Sequence, residues 1–451
     1  MREVYDVIII GGGVSGLTLA YALKDDFDVC LIEGNEIGGK ILTATIFGRN
    51  VELGPEEIIR TKQVDELIKD LGLADRIVEP RTTSFSVIRD GRFFFVPPGV
   101  AGGVFRPSLK MLRSILDGLF DLSTLLSILR EPLKGITISQ DVSVKELFTA
   151  IYGDGFVKDF FEAVAGGIYA GDISEMSSEV YFPYILQIKK NGGSVLRNMI
   201  KKGLGFELFS ISGGINLLVN RLRERISARA DIVYAYARAV EAEGESYIVS
   251  NGGSICRGRT LALTVPPYQA PFVRGYSDKL MRAKSYIKSS NVAVIVEVYP
   301  EMPPHYREIS GALTFPQVYG VSGLTYYDTK WATSSSDGLY TVKYFVPFNS
   351  HLDEEAALKR VRMFRDKVLR IHRPLHSVVK IWTEAMPTYA VGSRAVLHEI
   401  GKAAMSKGVF LGGPWMLSTG IASSIGNAMK LSHEIKKYFN KSSADQNASW
   451  V

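Results

Sequence analysis

The fold is decided by the stretch Val7–Gly16, which reads VIIIGGGVSG. Its leading apolar residues predict a buried parallel strand, and the apolar run Leu17–Leu23 predicts a helix. Between them, Gly11, Gly13 and Gly16 form the pattern G-x-G-x-x-G. The first glycine permits a tight turn, the second a close approach of a pyrophosphate, and the third close packing of helix and strand. We therefore predict a pyrophosphate at this helix N-terminus, where free N–H groups and the helix dipole converge.

The hexapeptide alone is also compatible with an ordinary glycine-rich turn, so the residues around it matter. Phe27–Glu33 predicts a second strand that ends in an acid, and Glu33 lies 17 residues beyond Gly16. In dinucleotide-binding folds, an acid at about this distance binds the ribose. The alternative for Glu33 is a solvated strand end, but in this setting we predict ribose binding.

Further glycine turns extend the predicted site. They occur at Gly38-Gly39-Lys40 and at Gly54-Pro55-Glu56. A last parallel strand is predicted over Gly408–Gly413, and a second helix N-terminus follows at Gly420-Ile421-Ala422. An NAD-binding domain has no need of these additional turns, which favour a longer dinucleotide, FAD. Lys40 either reaches a phosphate or is solvated.

Composition limits the classes of function. With 451 residues, 46% of them hydrophobic and 22% charged, the chain is globular and long enough for two or three domains. The net charge of +6 is a mild excess that does not indicate nucleic acid and suits an anionic substrate or membrane surface. Cys30 and Cys256 lie in apolar, strand-like stretches, so we expect buried thiols and a reducing compartment. The histidines show no metal-ligand spacing, so no metal is expected.

Targeting signals are not evident. The first predicted strand begins so close to Met1 that no basic leader precedes it. No apolar run reaches the roughly 18 residues that a spanning helix requires. We expect a cytoplasmic protein, with contact to the inner face of the cell membrane left open.

A leucine-rich stretch lies between residues 103 and 150. Apolar residues recur there at helical spacing and basic residues flank them: Leu109, Leu112, Ile115, Leu116, Leu119, Phe120, Leu125, Leu126 and Leu129, with Lys110, Arg113, Arg130 and Lys134. We predict two core-facing helices of a helical subdomain. The alternative is a surface that lies on a membrane, where the basic residues meet anionic lipid.

Local patterns predict the remaining architecture. Arg89–Arg92 predicts the turn of a β-hairpin over 85–96. The glycine-rich loop Ala165–Asp172 predicts close packing against a flat ligand or another backbone. Residues 207–270 return to a βαβ-like order, and the aromatic and β-branched residues of 290–347 predict an antiparallel sheet.

Together these motifs resemble the protoporphyrinogen oxidase family, within the larger group of FAD-dependent amine oxidases and phytoene desaturases, over nearly the whole chain. Stretches that resemble the larger group are Gly11–Gly16, Glu33, Gly38-Gly39 and Gly54-Pro55. Stretches that resemble narrower family motifs, in the family's order, are Gly167–Asp172, Tyr181–Pro183 with Gly192–Ser194, Gly323–Asp328, Trp382–Gly392 and Leu411–Ile425.

The resemblance implies an α/β fold: a Rossmann-like FAD-binding domain, a mixed α+β substrate domain and a helical insertion. The FAD-binding domain would comprise residues 1–80, 207–270 and 381–440. The substrate domain would comprise 81–99 and 271–380. The helical subdomain, which faces a membrane in the family, would be 100–206. The polar residues from Asn440 onward separately predict a flexible tail at 441–451.

The resemblance also implies site residues. The implied FAD-binding residues are Gly11, Gly12, Gly13, Val14, Ser15, Gly16, Glu33, Gly39, Lys40, Gly54, Pro55, Glu56, Val240, Trp382, Gly413, Gly420, Ile421 and Ala422. The candidate substrate residues are Arg81, Arg92, Gly167, Tyr169, Gly171, Phe315, Leu324 and Tyr326. The two arginines would anchor propionates or are solvated hairpin charges, and the others would form walls or are core residues. No protein side chain is assigned as catalytic, because the flavin carries the chemistry.

The implied reaction is oxidation of protoporphyrinogen IX or coproporphyrinogen III to the porphyrin in haem biosynthesis. Six electrons would leave the tetrapyrrole in three flavin cycles, each passing hydride to flavin N5, with O₂ or another acceptor reoxidising the flavin. A homodimer stays open. Ser84 and Phe85 stand where relatives often carry an anchoring arginine, Ser393 replaces a histidine and Pro414 an asparagine. These departures keep two alternatives open: an amine oxidase or carotenoid desaturase of the same group, and a non-catalytic FAD- or tetrapyrrole-binding protein.

Overall fold

The structure, a computed structural model, describes residues 2–97, 109–202, 206–301, 306, 308–331, 338–371 and 373–448. The predicted domain boundary at 99–100 and the end of the predicted tail, 449–451, lie outside these residues. Two compact units divide the chain: Met1–Ile77, Phe209–Ile287 and Ser393–Val451 form the first, and Val78–Leu208 and Lys288–Gly392 form the second.

The strands, in chain order, are β1 Tyr5–Ile10, β2 Val29–Glu33, β3 Thr43–Ile46, β4 Arg49–Glu52, β5 Ile58–Ile59, β6 Ile77–Val78, β7 Phe85–Arg89, β8 Arg92–Val96, β9 Leu208–Ile211, β10 Asp231–Tyr234, β11 Ala239–Glu243, β12 Ser246–Ser250, β13 Ser254–Leu263, β14 Phe272–Val273, β15 Ile287–Tyr299, β16 Gly311–Thr314, β17 Gly323–Tyr326, β18 Tyr340–Phe348, β19 His376–Tyr389 and β20 Val409–Leu411.

The helices are α1 Val14–Leu23, α2 Lys62–Asp70, α3 Leu109–Leu116, α4 Leu122–Arg130, α5 Val144–Tyr152, α6 Asp154–Phe156, α7 Glu162–Tyr169, α8 Ser178–Tyr181, α9 Pro183–Lys190, α10 Val195–Lys202, α11 Asn216–Ser227, α12 Ser277–Tyr286, α13 Pro316–Tyr319, α14 Tyr327–Lys330, α15 Glu354–Phe364, α16 Ser393–Met405 and α17 Ile421–Ala448.

The first unit is built on a sheet of order β10-β2-β1-β13-β12-β11-β14, with β20 also paired to β13. Strands β10, β2, β1, β13 and β20 run parallel. Helices α1, α11 and α17 share one buried apolar cluster with β1 and β2. The predicted strand–turn–helix and the predicted last parallel strand are confirmed, and α17 continues to Ala448, into the stretch predicted to be a flexible tail.

The second unit contains a sheet of order β19-β15-β18-β17-β16-β7-β8. The predicted hairpin is confirmed: β7 pairs antiparallel with β8, and its turn residues Asp90 and Gly91 both have positive φ, as a type I′ turn requires. The predicted antiparallel sheet is also confirmed, because β18 pairs antiparallel with β15 and β17. One core cluster lies between this sheet and α15, and another joins it to helices α5 to α9. The expected α/β fold is thereby confirmed.

The leucine-rich helices α3 and α4 differ from the prediction. Met111, Leu119, Phe120 and Ile128 point into the core, as do polar side chains of both helices. The leucines predicted to face the core are instead exposed: Leu109, Leu112, Leu116, Leu126 and Leu129. Periodicity selects the most apolar face of each helix, whereas the buried side carries Met111 and Ser114 on α3 and Thr124 and Ile128 on α4, so much of the apolar face is exposed. None of the helices in the described ranges has the length and apolar character needed to cross a membrane.

The two cysteines follow the prediction. Cys30 on β2 and Cys256 on β13 are buried free thiols. Cys30 interacts with Cys256, and this interaction, together with burial, raises the pKa of the Cys30 thiol. Both are packing residues of the first unit.

Candidate functional site

In the Gly11–Gly16 turn, the surrounding structure requires glycine at some positions and not at others. Gly11 has φ of 112°, and a Cβ there would lie 2.8 Å from Val265 Cγ1. A Cβ on Gly16 would overlap the carbonyl oxygen of Gly11. The packing of the chain therefore requires Gly11 and Gly16.

Gly13 is different, because neither its conformation nor its neighbours require glycine. Its φ is −70° and its ψ 179°, an extended conformation that any residue adopts. No heavy atom of the described residues lies within 4 Å of a Cβ built there. Helix α1 begins at the next residue, with no side-chain cap and no acid in its first turn. Open space before uncapped amides at the positive end of a helix dipole fits a pyrophosphate.

The Glu33 carboxylate is held at the end of β2. Its Oε2 accepts the N–H of Gly12 at 2.6 Å, and its Oε1 accepts the N–H of Asn35 at 2.7 Å. These bonds fix the half-buried carboxylate beside the glycine turn, and each oxygen keeps a lone pair for a hydroxyl donor. The arrangement fits a ribose at the position that the sequence predicts.

The second glycine turn packs directly on the first. Gly38 donates its N–H to the Gly12 carbonyl at 2.9 Å, and a Cβ on Gly39 would lie 3.3 Å from the Gly13 Cα. Lys40 Nζ lies 3.4 Å from the Tyr268 hydroxyl. The glycine doublet therefore lets two backbone segments meet beside the open space at Gly13.

The third glycine turn, at Gly54, packs on the residues that follow the second turn. A Cβ on Gly54 would overlap the Lys40 carbonyl oxygen, and Leu53 donates its N–H to the Leu42 carbonyl at 2.8 Å. Pro55 is exposed and Glu56 is buried. Gly54 is therefore required where the chain passes over residues 40–42.

The C-terminal motif returns to the first turn. Gly413 follows β20 with φ of 57°, and a Cβ on it would lie 3.3 Å from Ser15 Oγ of α1. At the start of α17, the N–H groups of Thr419 and Gly420 both donate to Ser423 Oγ at 3.0 Å. Helix α17 packs along α1 through Ile421 and Ala422.

Sequence reasoning missed Thr264, which follows β13. Its hydroxyl lies 2.9 Å from the Ile10 carbonyl and 3.0 Å from the Gly11 carbonyl. It is also the nearest polar side chain to hypothetical Cβ atoms on Gly11 and Gly16. Its only sequence signal is a hydroxyl at the end of the buried run Thr260–Val265, because its partners lie some 250 residues away.

The structure thus brings most of the predicted cofactor residues into the first unit. Val240 also belongs to it, buried on β11. Trp382 does not: it lies on β19 in the second unit, with Lys380 Nζ 4.6 Å from its ring centroid.

All eight predicted substrate residues lie in the second unit. A Cβ on Gly167 of α7 would lie 2.5 Å from Leu313 Cδ2, and one on Gly171 would lie 2.8 Å from Thr388 Cγ2. These glycines therefore permit close packing of α7 and its loop on protein atoms. The Tyr169 ring contacts those of Tyr181 and Phe182, and burial raises the pKa of Tyr169 to about 12.

The three other candidate wall residues, Phe315, Leu324 and Tyr326, lie in two different core clusters. Phe315 is buried in the cluster that includes α7. Leu324 and Tyr326 pack into the core against α15, and burial raises the pKa of Tyr326. We therefore do not keep these two as candidate walls. By strand alternation, Thr325 and the buried Lys343 lie on the opposite face of the sheet.

The two candidate anchors are exposed. Arg81 donates its N–H to the Lys330 carbonyl at 2.8 Å, and Arg92 begins β8. The neighbouring Arg89 is occupied structurally: its guanidinium donates to the carbonyls of Gly118 and Leu119 at 2.6 and 3.1 Å. Arg81 and Arg92 thus have the exposure that binding an external carboxylate requires.

A buried ion pair also lies in the second unit. Arg365 Nη1 lies 3.3 Å from Glu297 Oε1, and both side chains are at most 5% exposed. The Tyr299 hydroxyl donates to Glu297, and Tyr299 in turn meets the Tyr344 hydroxyl at 2.8 Å. Burial raises the pKa of Glu297 above its usual range despite the neighbouring guanidinium.

A family model for flavin-containing amine oxidoreductases matches residues 14–430. The chain belongs to this family. A flavin cofactor is consistent with the glycine turns and with the fixed Glu33 carboxylate of the first unit. The protein is a flavin-dependent oxidoreductase.

Individual relatives carry names that are more specific than that of the family. The chain is 25% identical to coproporphyrinogen III oxidase of Bacillus subtilis, over 92% of this chain and 94% of that one. It is 23% identical to chloroplastic protoporphyrinogen oxidase 1 of Spinacia oleracea, over 97% of this chain and 85% of that one. The predicted resemblance to porphyrinogen oxidases is confirmed.

Solved structures share the fold. A candidate protoporphyrinogen oxidase from Exiguobacterium sp. 255-15 matches with a TM-score of 0.81 and 21% identity, over 96% of this chain and 99% of that one. Cyclohexylamine oxidase from Brevibacterium oxydans matches with a TM-score of 0.67 and 18% identity, over 97% and 99% of the respective chains.

Proposed function

We propose that this protein oxidises protoporphyrinogen IX or coproporphyrinogen III to the porphyrin in haem biosynthesis. The observation that carries the proposal is the likeness to relatives named for these two reactions, over 92% and 97% of the chain. The net charge of +6 suits a substrate that carries carboxylates.

FAD is the proposed cofactor. The open space at Gly13 suits its pyrophosphate, and Glu33 suits its adenosine ribose. When bound, FAD would supply the two-electron acceptor for the reaction. The chain's own contribution is to orient the cofactor through the amides of Gly11–Gly16 and the acid at Glu33. Lys40, Gly54–Glu56, Val240, Trp382 and the Gly413 and Gly420–Ala422 turns remain proposed contacts.

The reaction balances with O₂ as the final acceptor. The porphyrinogen loses six electrons and six protons in three two-electron steps, and three O₂ become three H₂O₂. We propose Arg81 and Arg92 as propionate anchors. Gly167, Tyr169, Gly171 and Phe315 stay proposed as residues around the tetrapyrrole.

Peripheral contact with an anionic membrane belongs to the same proposal. Leu109, Leu116, Leu122 and Leu133 are each more than 70% exposed on or beside α3 and α4. Exposed Arg113, whose Nε lies 4.0 Å from Asp117 Oδ2, lies among them, and Arg130 is exposed at the end of α4. Exposed leucines beside cations suit the boundary between lipid headgroups and acyl chains.

An amine oxidase is the second candidate. The cyclohexylamine oxidase fold and the aromatic Trp382 favour it. Incubation with coproporphyrinogen III, protoporphyrinogen IX and a panel of amines under air separates the candidates. We expect porphyrin fluorescence and H₂O₂ with a porphyrinogen. Turnover of amines alone would support the second candidate, and a flavoprotein that turns over none of them would indicate a carrier.

A further inference from the structure

An aromatic side chain stands beside the candidate ribose site of the first unit. Strand β10 runs parallel to β2, and Tyr234 lies opposite Glu33 in their register. Just beyond the strand, Ala235 donates its N–H to the Glu33 carbonyl at 2.9 Å. The chain that leaves β10 therefore carries Tyr236 past the end of β2, where dinucleotide-binding sheets hold the adenosine.

The Tyr236 ring is fixed in place by the residues that follow Glu33. A Cβ on Gly34 would lie 2.5 Å from Tyr236 Cδ1 and 2.8 Å from Cε1, so the ring lies directly on the glycine backbone. The Tyr236 hydroxyl forms a hydrogen bond with Asn35 Oδ1. The N–H of that asparagine in turn donates to the Glu33 carboxylate at 2.7 Å.

The Tyr236 ring has fixed contacts and is nevertheless largely exposed to solvent. Tyr236 is 56% exposed although Gly34 covers part of it. An exposed tyrosine side chain is ordinarily mobile. The ring of Tyr236 instead packs on Gly34 and its hydroxyl bonds to Asn35, and both residues belong to the segment that positions the Glu33 carboxylate. A flat, ordered ring with a free surface is suited to stacking on another flat ring.

We propose that Tyr236 is the stacking partner of the cofactor's adenine, positioned by Gly34 and Asn35 next to the ribose acid. The inference rests on the proposed FAD site and adds a residue that discriminates the adenosine half. The class of ligand that it recognises is an adenine nucleotide with a free ribose. Loss of base–aromatic stacking typically weakens binding by about tenfold or more.

The test titrates flavin-free protein with FAD and with ADP, which carries the adenosine half alone. We expect Tyr236→Ala to weaken both by about tenfold or more. Tyr236→Phe, which keeps the ring and loses only the bond to Asn35, should retain most of the affinity. Tyr234→Ala, which removes a neighbouring exposed tyrosine, should bind both ligands like the wild type.

Tyr236→Leu guards against a purely space-filling role, since it keeps apolar bulk without an aromatic face. We expect it to behave like the alanine variant. Wild-type affinity for ADP in either the leucine or the alanine variant would overturn the inference. Apparent melting temperatures of the flavin-free variants establish that they are folded. Wild-type protein that binds neither FAD nor ADP would instead refute the proposed cofactor, which is a separate outcome.

Discussion

The Thr264 hydroxyl lies 3.0 Å from the Gly11 carbonyl oxygen, across 253 residues of sequence. It lies 2.9 Å from the Ile10 carbonyl as well, so one side chain after β13 fixes the end of β1 where the glycine turn begins. Thr264 therefore ties the shape of the candidate pyrophosphate site to a distant strand.

Thr264→Val keeps the shape of the side chain and removes the hydroxyl. We expect it to lower the free energy of unfolding by about 1–3 kcal/mol, because the Gly11 carbonyl loses the hydroxyl donor, whereas the Ile10 carbonyl keeps the backbone N–H of residue 264 at 2.9 Å. We also expect weaker FAD binding, since the turn loses its tether. Thr260→Val is the matched control: its hydroxyl donates to the Asp6 carbonyl at 2.8 Å, at the other end of β1. Chemical denaturation and FAD titration check both variants, and equal FAD affinity in the two would contradict a special role for Thr264.

Gly13 and Gly16 should respond differently to an added side chain. Gly13→Val places its side chain in open space, so we expect a folded protein that loses flavin. Gly16→Ala overlaps the Gly11 carbonyl, so we expect a loss of stability even without cofactor. Thermal unfolding of flavin-free protein and flavin content after purification separate the two. A yellow Gly13→Val protein would rule out the pyrophosphate assignment.

The buried Glu297–Arg365 pair makes stability depend on pH. Because burial raises the pKa of Glu297 in the folded state, folding favours its protonated form. Its contribution to stability is therefore greatest below the unfolded pKa and is lost as pH rises through the higher folded pKa. We expect this loss to be absent in Glu297→Gln, measured by urea denaturation across that range.

Glu297→Gln mimics the neutral acid and leaves Arg365 paired with Asp366, whose Oδ1 lies 3.1 Å from Arg365 Nε. We therefore expect it to lower the free energy of unfolding by only about 1–3 kcal/mol, for the hydrogen bonds that the carboxylate accepts. A single variant as stable as wild type would mean that the pair does not stabilise the second unit.

The exposed leucines of α3 and α4 should govern contact with lipid. We expect wild-type protein to co-sediment with anionic vesicles at low salt, and Leu116→Ser with Leu129→Ser to reduce the bound fraction several-fold, because less apolar surface reaches the bilayer. Val318→Ser is the control, since Val318 is 71% exposed elsewhere in the second unit. Binding that is unchanged in the leucine variant, or equally reduced in the control, would refute this contact surface.

Features with a local cause were predictable from sequence. The Gly11–Gly16 turn depends on neighbouring residues, and the β7–β8 hairpin depends on Asp90 and Gly91 with positive φ. Because the cause is local, the strand–turn–helix at Gly11–Gly16 and the hairpin turn at Asp90–Gly91 could be predicted from short stretches of sequence.

Features that depend on distant partners were not predictable. Thr264 acquires its importance only when β13 lies beside β1, and the burial of Leu324 and Tyr326 is decided by α15 on one face of the sheet. Leu116 and Leu129 lie on the apolar faces of amphipathic helices, and only the packed structure shows that these residues are exposed. The contacts of Tyr236 with Gly34 and Asn35 likewise join segments about 200 residues apart.

The proposed function requires this flavoprotein to take electrons from a porphyrinogen. The most direct measurement mixes the flavin-loaded protein with coproporphyrinogen III or protoporphyrinogen IX in the absence of O₂ and records the visible spectrum. We predict that the oxidised flavin band bleaches, and that porphyrin accumulates when air is admitted. A flavin band that stays unchanged with both porphyrinogens would show that the protein is not a porphyrinogen oxidase.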